Sequence, residues 1–398
     1  MSGNVFHRSE VKAMILGVKT VRLILGVAAC ILLASPALAA TINVANCLPP
    51  TVQSALNSAS TGDIVALPSG PCVWGSTTLT IPSGKKITLR GAGIDVTSIT
   101  STPGAVAIRI GDQAVGGNSR VTGFTLTGGY IIADGDGWRV DHVKLVGTTV
   151  GGLAEGVFAW GLRPNTPGGP TGLIDNVTFM DTRVVVFGYP DNPEKSSSTW
   201  SSPLGLGDAN AVYVENSTFN FNGQPNVIDC NYGGRFVFRN NTVNNSSIDA
   251  HSVQGWNRGC RRWEVYNNTI RLVGGYFTPM FIRGGTGVIF NNTITGPWSE
   301  PYISFDNVRS FENRPEWFPV SPTAPGVCNG SSSWDGNQAS NGWPCRDQIG
   351  RGGDVTAWTA GTPYVGQAAT PAYIWNNTIN GNTATVNIRN GTGPWIQP

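Results

Sequence analysis

A six-residue phrase recurs along this chain, and it limits the fold more than any other feature. It reads VTGFTL (Val121–Leu126), VDHVKL (Val140–Leu145), IDNVTF (Ile174–Phe179), VENSTF (Val214–Phe219), FRNNTV (Phe238–Val243), VYNNTI (Val265–Ile270), IFNNTI (Ile289–Ile294) and IWNNTI (Ile374–Ile379). Its third position runs Gly123, His142, Asn176, Asn216, Asn240, Asn267, Asn291, Asn376, in steps of 19, 34, 40, 24, 27, 24 and 85 residues. Steps near 24 are bare structural units, and longer steps are the same unit carrying an inserted loop. Each phrase alternates apolar and polar residues on either side of a corner, which is the pattern strand, corner, strand. One such unit cannot bury its own apolar face, but a stack of them buries a continuous core. Val265, Ile270, Ile289 and Ile294 are the expected inward stacks. The third-position asparagines, Asn267 among them, are expected to form a hydrogen-bonded ladder between coils. The fold expected is all-β, a parallel β-helix. A sandwich or propeller would show regular Asn-Gly or Asp-Gly hairpins, and few occur.

Composition agrees. The 52 glycines and a charged fraction of only 13% argue against a helical bundle and for short strands joined by turns. Residues 1–39 read as a signal peptide: Arg8, Lys12, Lys19 and Arg22 precede the apolar run Leu23–Leu33, and Ala37-Leu38-Ala39 forms a cleavage site. A lipobox, Val27-Ala28-Ala29-Cys30, is the rival reading. The expected location is secreted or periplasmic, with no membrane insertion of the mature chain.

Removing that segment takes away four basic residues and Glu10, leaving 22 basic and 23 acidic residues, a net charge of −1. No general attraction to nucleic acid remains. The mature basic set is 18 Arg against four Lys, and Arg forks suit carboxylates and sugar hydroxyls. Six cysteines remain, which fits an oxidising compartment, and proximity pairs Cys47–Cys72, Cys230–Cys260 and Cys328–Cys345. The mature chain is expected to act as a monomer. Residues 40–398 read as one domain. Val52, Ala55, Leu56 and Ala59 give residues 50–59 helical spacing, so a short helix would cap the open end of the stack. Residues 296–372 read as a long loop insertion and 373–398 as the last coil.

The stretch from that helix through Gly62-Asp63-Ile64-Val65-Ala66-Leu67-Pro68-Ser69-Gly70 to Ile87-Thr88-Leu89-Arg90-Gly91-Ala92-Gly93-Ile94-Asp95 resembles the opening of pectin-lyase-like right-handed parallel β-helix proteins. The NNTI phrases resemble the same superfamily, and together they cover most of residues 41–300. The resemblance implies a right-handed helix. It leaves the activity open among polysaccharide lyases, glycoside hydrolases, epimerases, depolymerases and adhesins. No full pectate-lyase or polygalacturonase signature is present.

Outward strand residues on neighbouring coils form columns. Aligning Ile228, Ile248, Ile282 and Ile303 gives the column Asp229, Asp249, Arg283, Ser304, and two residues on Asn231, His251, Gly285, Asp306. Coils about 4.8 Å apart would bring Asp229, Asp249, His251 and Arg283 together as candidate catalytic residues. A surface Asp–Arg pair beside a solvated histidine would give the same pattern. Arg258, Arg261 and Trp256 in the adjoining turn, with Tyr232 and Asp306, are candidate contacts to an acidic sugar.

Two chemistries suit such a cluster. In β-elimination His251 is the base, with Tyr232 or an arginine in reserve. A uronate carboxylate would be neutralised by Arg283 or by Ca²⁺ on Asp229 and Asp249. In glycoside hydrolysis the two aspartates are acid and base. The preferred expectation is cleavage of an acidic polysaccharide by β-elimination, with no cofactor except that Ca²⁺. A non-catalytic glycan-binding solenoid is the third reading. Asp134-Gly135-Asp136-Gly137 imitates the start of a calcium loop but lacks its downstream Glu, and reads as a turn.

Overall fold

The computed structural model describes residues 39–113, 117–148, 154–163, 169–189, 200, 203–222, 226–251, 259–274, 278–306, 349–350 and 370–388. The proposed signal peptide and the Cys328–Cys345 pair lie outside them. The described residues form a right-handed parallel β-helix with one α-helix. Its strands make a 20-stranded sheet, which the corner of every coil folds into two runs, and a ten-stranded sheet that closes each coil. All pairings are parallel except Thr378–Ile379 with Asn382–Thr383 in the final coil.

Alternation along each strand builds the core. Val265 pairs with Ile289 and Ile270 with Ile294, and all four are fully buried. Phe179 and Phe219 stack at 4.2 Å. The helix spans Pro49–Ser58 and turns Val52, Ala55 and Leu56 onto the first coil. Proline at its start fits because the first turn has no backbone acceptor for that N–H. The Cys47–Cys72 disulfide and the Trp74 indole N–H donating to the Cys47 carbonyl, 2.9 Å, fasten the segment leading into it.

The ladder lies one residue later than the sequence pattern suggests. Every third-position residue has a left-handed backbone, with φ from 49° at His142 to 76° at Gly123. That explains the residue choice, because glycine and asparagine adopt this conformation most readily. Asn267 itself is exposed. The buried ladder is Asn241, Asn268, Asn292 and Asn377. Asn268 Nδ2 donates to Asn292 Oδ1 and to the Phe238 carbonyl, each 2.9 Å. Its Oδ1 accepts from the Asn241 amide at 2.9 Å. Asn268→Ala strands partners on both neighbouring coils and should cost about 1–3 kcal/mol, whereas Asn267→Gly, which keeps the left-handed corner, should change the melting temperature far less. Equal shifts in thermal unfolding for the two variants would contradict this register.

The ten-stranded sheet continues through Ile303–Phe305, inside the stretch read as insertion. The coil therefore runs on to Asp306 before the chain leaves the described residues. The chain returns with Ile349 packed in the core and Tyr373–Trp375 paired on Val288–Phe290.

Candidate functional site

The outer face of the ten-stranded sheet brings Asp229, Asp249, His251 and Arg283 together, although not in the alignment expected. Ile228 pairs with Ile248, but Ile248 pairs with Met280, so Ile282 lies opposite Ala250. Matching the first isoleucine of each strand therefore slips Arg283 by two residues. Asp249 has Phe281 and then Ser304 above it, and Arg283 continues the column of His251, with Asp306 next. The slip keeps Arg283 on the outer face because side chains alternate with period two.

Backbone contacts fix His251 just past strand Ile248–Ala250. Its N–H donates to the Cys230 carbonyl at 3.1 Å, and its own carbonyl accepts from Cys260 at 2.7 Å. The Cys230–Cys260 disulfide fastens the same two segments. His251 Nε2 lies 3.1 Å from Asp229 Oδ1 and 3.5 Å from Asp249 Oδ2. The side chains of Asp229 and Asp249 keep 9% and 11% of their surface open and that of His251 keeps 13%. With Nε2 between two carboxylates, that nitrogen carries the proton it shares with them.

Each carboxylate is also held from behind. Arg283 grips Asp249 through Nε, 3.0 Å, and through Nη2, and Asn226 Nδ2 donates to Asp249 Oδ2 at 2.9 Å. Arg183 Nη1 reaches Asp229 Oδ2 at 3.0 Å, and its Nη2 reaches Glu155 at 3.3 Å. Burial alone would raise the Asp249 carboxyl. Arg283 and His251 outweigh it and hold the group below the usual carboxylate range. Arg183, Glu155 and Asn226 were not among the residues expected. Reading one coil further upstream would have found Arg183, since Val184 pairs with Ile228. Asn226 precedes its strand and gave no signal.

The set does not fit a calcium ion. Calcium needs several free carboxylate oxygens, but guanidinium groups already sit against Asp229 and Asp249. Among the described residues no group of three His, Cys, Asp or Glu side chains is arranged to hold a metal. The Asp134–Gly137 segment, read as a turn, is instead strand on both sides of a single bend at Gly135, with Asp134 bound by Arg109 and Asp136 by Arg163 and Thr171.

Arg261 is not at this site. It is buried, its Nε donating to the Trp200 carbonyl at 2.9 Å and its guanidinium lying over the Trp200 ring. Arg235 and Arg262 beside it tie down the 203–208 loop. Burial, with Arg261 and Arg262 nearby, pushes Arg235 down to about 9. The arginine-rich turn thus serves packing where it is described, and Arg258 and Trp256 lie outside the described residues. Asp306 is buried one residue beyond strand Ile303–Phe305, its N–H on the Ile282 carbonyl at 2.9 Å.

Tyr232 belongs to an aromatic patch beside the charges, with Phe187 at 4.9 Å and Trp160 at 6.0 Å. Phe158 extends the patch, 5.1 Å from Phe187. At its far end a cavity of about 260 Å³ is lined by Arg109, Tyr130, Ile132, Phe158 and Trp160.

The site and fold define a parallel β-helix protein with a charged cluster and an aromatic patch on one sheet. No protein-family model matches the chain, and no curated protein matches it. Among solved structures it is similar to a mannuronic acid specific polysaccharide family 6 lyase enzyme from human gut microbiota. The identity is 15% and the TM-score 0.35, over 67% of this chain and 80% of that one. No helix among the described residues is long and apolar enough to cross a membrane.

Proposed function

We propose that this protein is a secreted or periplasmic enzyme that cleaves an acidic, uronate-containing polysaccharide by β-elimination on the outer face of the ten-stranded sheet. The observation that carries this reading is a partly open histidine held between two buried carboxylates, each backed by its own arginine. In that setting His251 removes the proton at C5 of a uronate. The electrons form the C4–C5 double bond, and the bond from C4 to the glycosidic oxygen breaks, that oxygen taking a proton from water. Asp229 and Asp249 hold the ring, and Arg183 and Arg283 hold the two carboxylates in place. The neighbouring rings of Trp160 and Tyr232 offer apolar surface for the sugar faces.

Glycoside hydrolysis suits the cluster less well. Its general acid must be protonated at working pH, and Asp249 is held in the opposite sense by Arg283 and His251. Incubating the protein with a panel of uronate polysaccharides should generate the ultraviolet absorbance of an unsaturated uronate end. New reducing ends without that absorbance would indicate hydrolysis. Neither signal on any member would favour a binding protein.

A further inference from the structure

The cavity at the far end of the aromatic patch lies well away from His251. Arg109 pairs with Ile132, Ile132 with Phe158, Phe158 with Val185 and Val185 with Asp229. Four coil steps put Arg109 about 19 Å from Asp229 along one face. Phe158, Trp160, Phe187 and Tyr232 bridge the interval in a continuous run of ring contacts between 4.9 and 6.0 Å. Glu155 and Arg183 bridge it on the polar side, up to Asp229.

The polar chemistry of this cavity has one sense. Asp134, buried behind it, takes Arg109 Nε at 2.5 Å and Nη2 at 3.0 Å. That fixes the guanidinium plane, and 44% of the arginine side chain remains exposed. Tyr130 is held protonated, its hydroxyl raised by burial and by Glu155. With the Trp160 indole, the lining offers N–H and O–H donors, and the neighbouring carboxylates Asp134 and Glu155 are engaged by Arg109 and Arg183. Donors beside aromatic rings suit a ligand with an apolar ring face and an acceptor-rich group, which describes a sugar bearing a carboxylate.

We infer that Arg109, Tyr130, Phe158 and Trp160 form a distal subsite that binds a uronate unit of the same chain whose cleavage is proposed at His251. This inference rests on that proposal for the nature of the substrate, but it is tested by binding rather than turnover. Size-graded oligouronates are titrated by calorimetry into the His251→Ala protein, with and without Arg109→Gln. Oligomers long enough to span both sites should bind roughly tenfold more weakly when Arg109 is replaced, the size of about one good charge-assisted contact. Oligomers too short to span them should bind the two proteins alike, and reducing the carboxyls to alcohols should abolish the difference.

Should Arg109→Gln unfold because Asp134 loses its partner, Arg109→Gln with Asp134→Asn makes the same comparison. Trp160→Ala should weaken acidic and reduced oligomers equally. Undiminished binding of long acidic oligomers to a folded Arg109 variant overturns the subsite, even if the wild-type protein cleaves them. Arg109-dependent binding without cleavage by the wild-type protein keeps the subsite and sinks the elimination reading.

Discussion

Replacing His251 with alanine is expected to lower cleavage of the responsive uronate polymer by ~10²–10⁴-fold, the usual contribution of a positioned base, while the protein stays folded. The expectation follows from where the side chain sits. It lies on the outer face, removes no core volume when truncated, and meets the two carboxylates through Nε2. Asp229 and Asp249 keep Arg183 and Arg283 after the change. Circular dichroism and thermal unfolding check the fold, and initial rates check the chemistry. Loss of folding in this variant would make His251 a structural residue. Unchanged rates would remove it from the mechanism.

Arg283→Met should have the largest effect on stability. Asp249 is buried and its carboxylate is gripped by two guanidinium nitrogens. Removing the arginine leaves a buried charge against His251 and Asn226 alone, a loss of about 3–5 kcal/mol. The pH dependence should reverse sign as well. In the wild type the Asp249 pKa lies below its unfolded value, so its stabilisation is present above about pH 4 and is lost as pH falls through the folded value. Without Arg283, burial dominates and raises the carboxyl. The variant should then gain stability on acidification from neutral pH, where the wild type does not. Denaturant unfolding across pH measures both slopes. Combining Arg283→Met with Asp249→Leu should recover most of the loss, because no unpaired charge remains. A single variant as stable as the wild type would mean the pair is unimportant to the fold.

The stacking of coils was legible because its cause is local. An apolar residue at each end of a phrase and a turn residue between them specify strand, corner, strand wherever they recur. The ladder was misplaced by one residue because two adjacent asparagines serve different needs. Asn267 supplies a left-handed corner and Asn268 the buried amide, and composition cannot tell the two apart. The Arg283 slip has a similar origin. Met280-Phe281-Ile282 offers two inward apolar residues, and only the pairing with Ile248 selects Met280. Arg261 misled because an arginine beside a turn looks the same in sequence whether it meets solvent or Trp200. Phe158 and Trp160 escaped notice because outward aromatic residues resemble core residues until the alternation of their strand is known.

Mass spectrometry of the chain ends produced on the responsive polymer tests the central claim most directly. Elimination at the His251 cluster predicts new non-reducing ends lighter by one water than hydrolysis would give, formed by the wild type and lost with His251→Ala. Ends that carry the full mass of added water, or lighter ends that persist undiminished in His251→Ala, would contradict it.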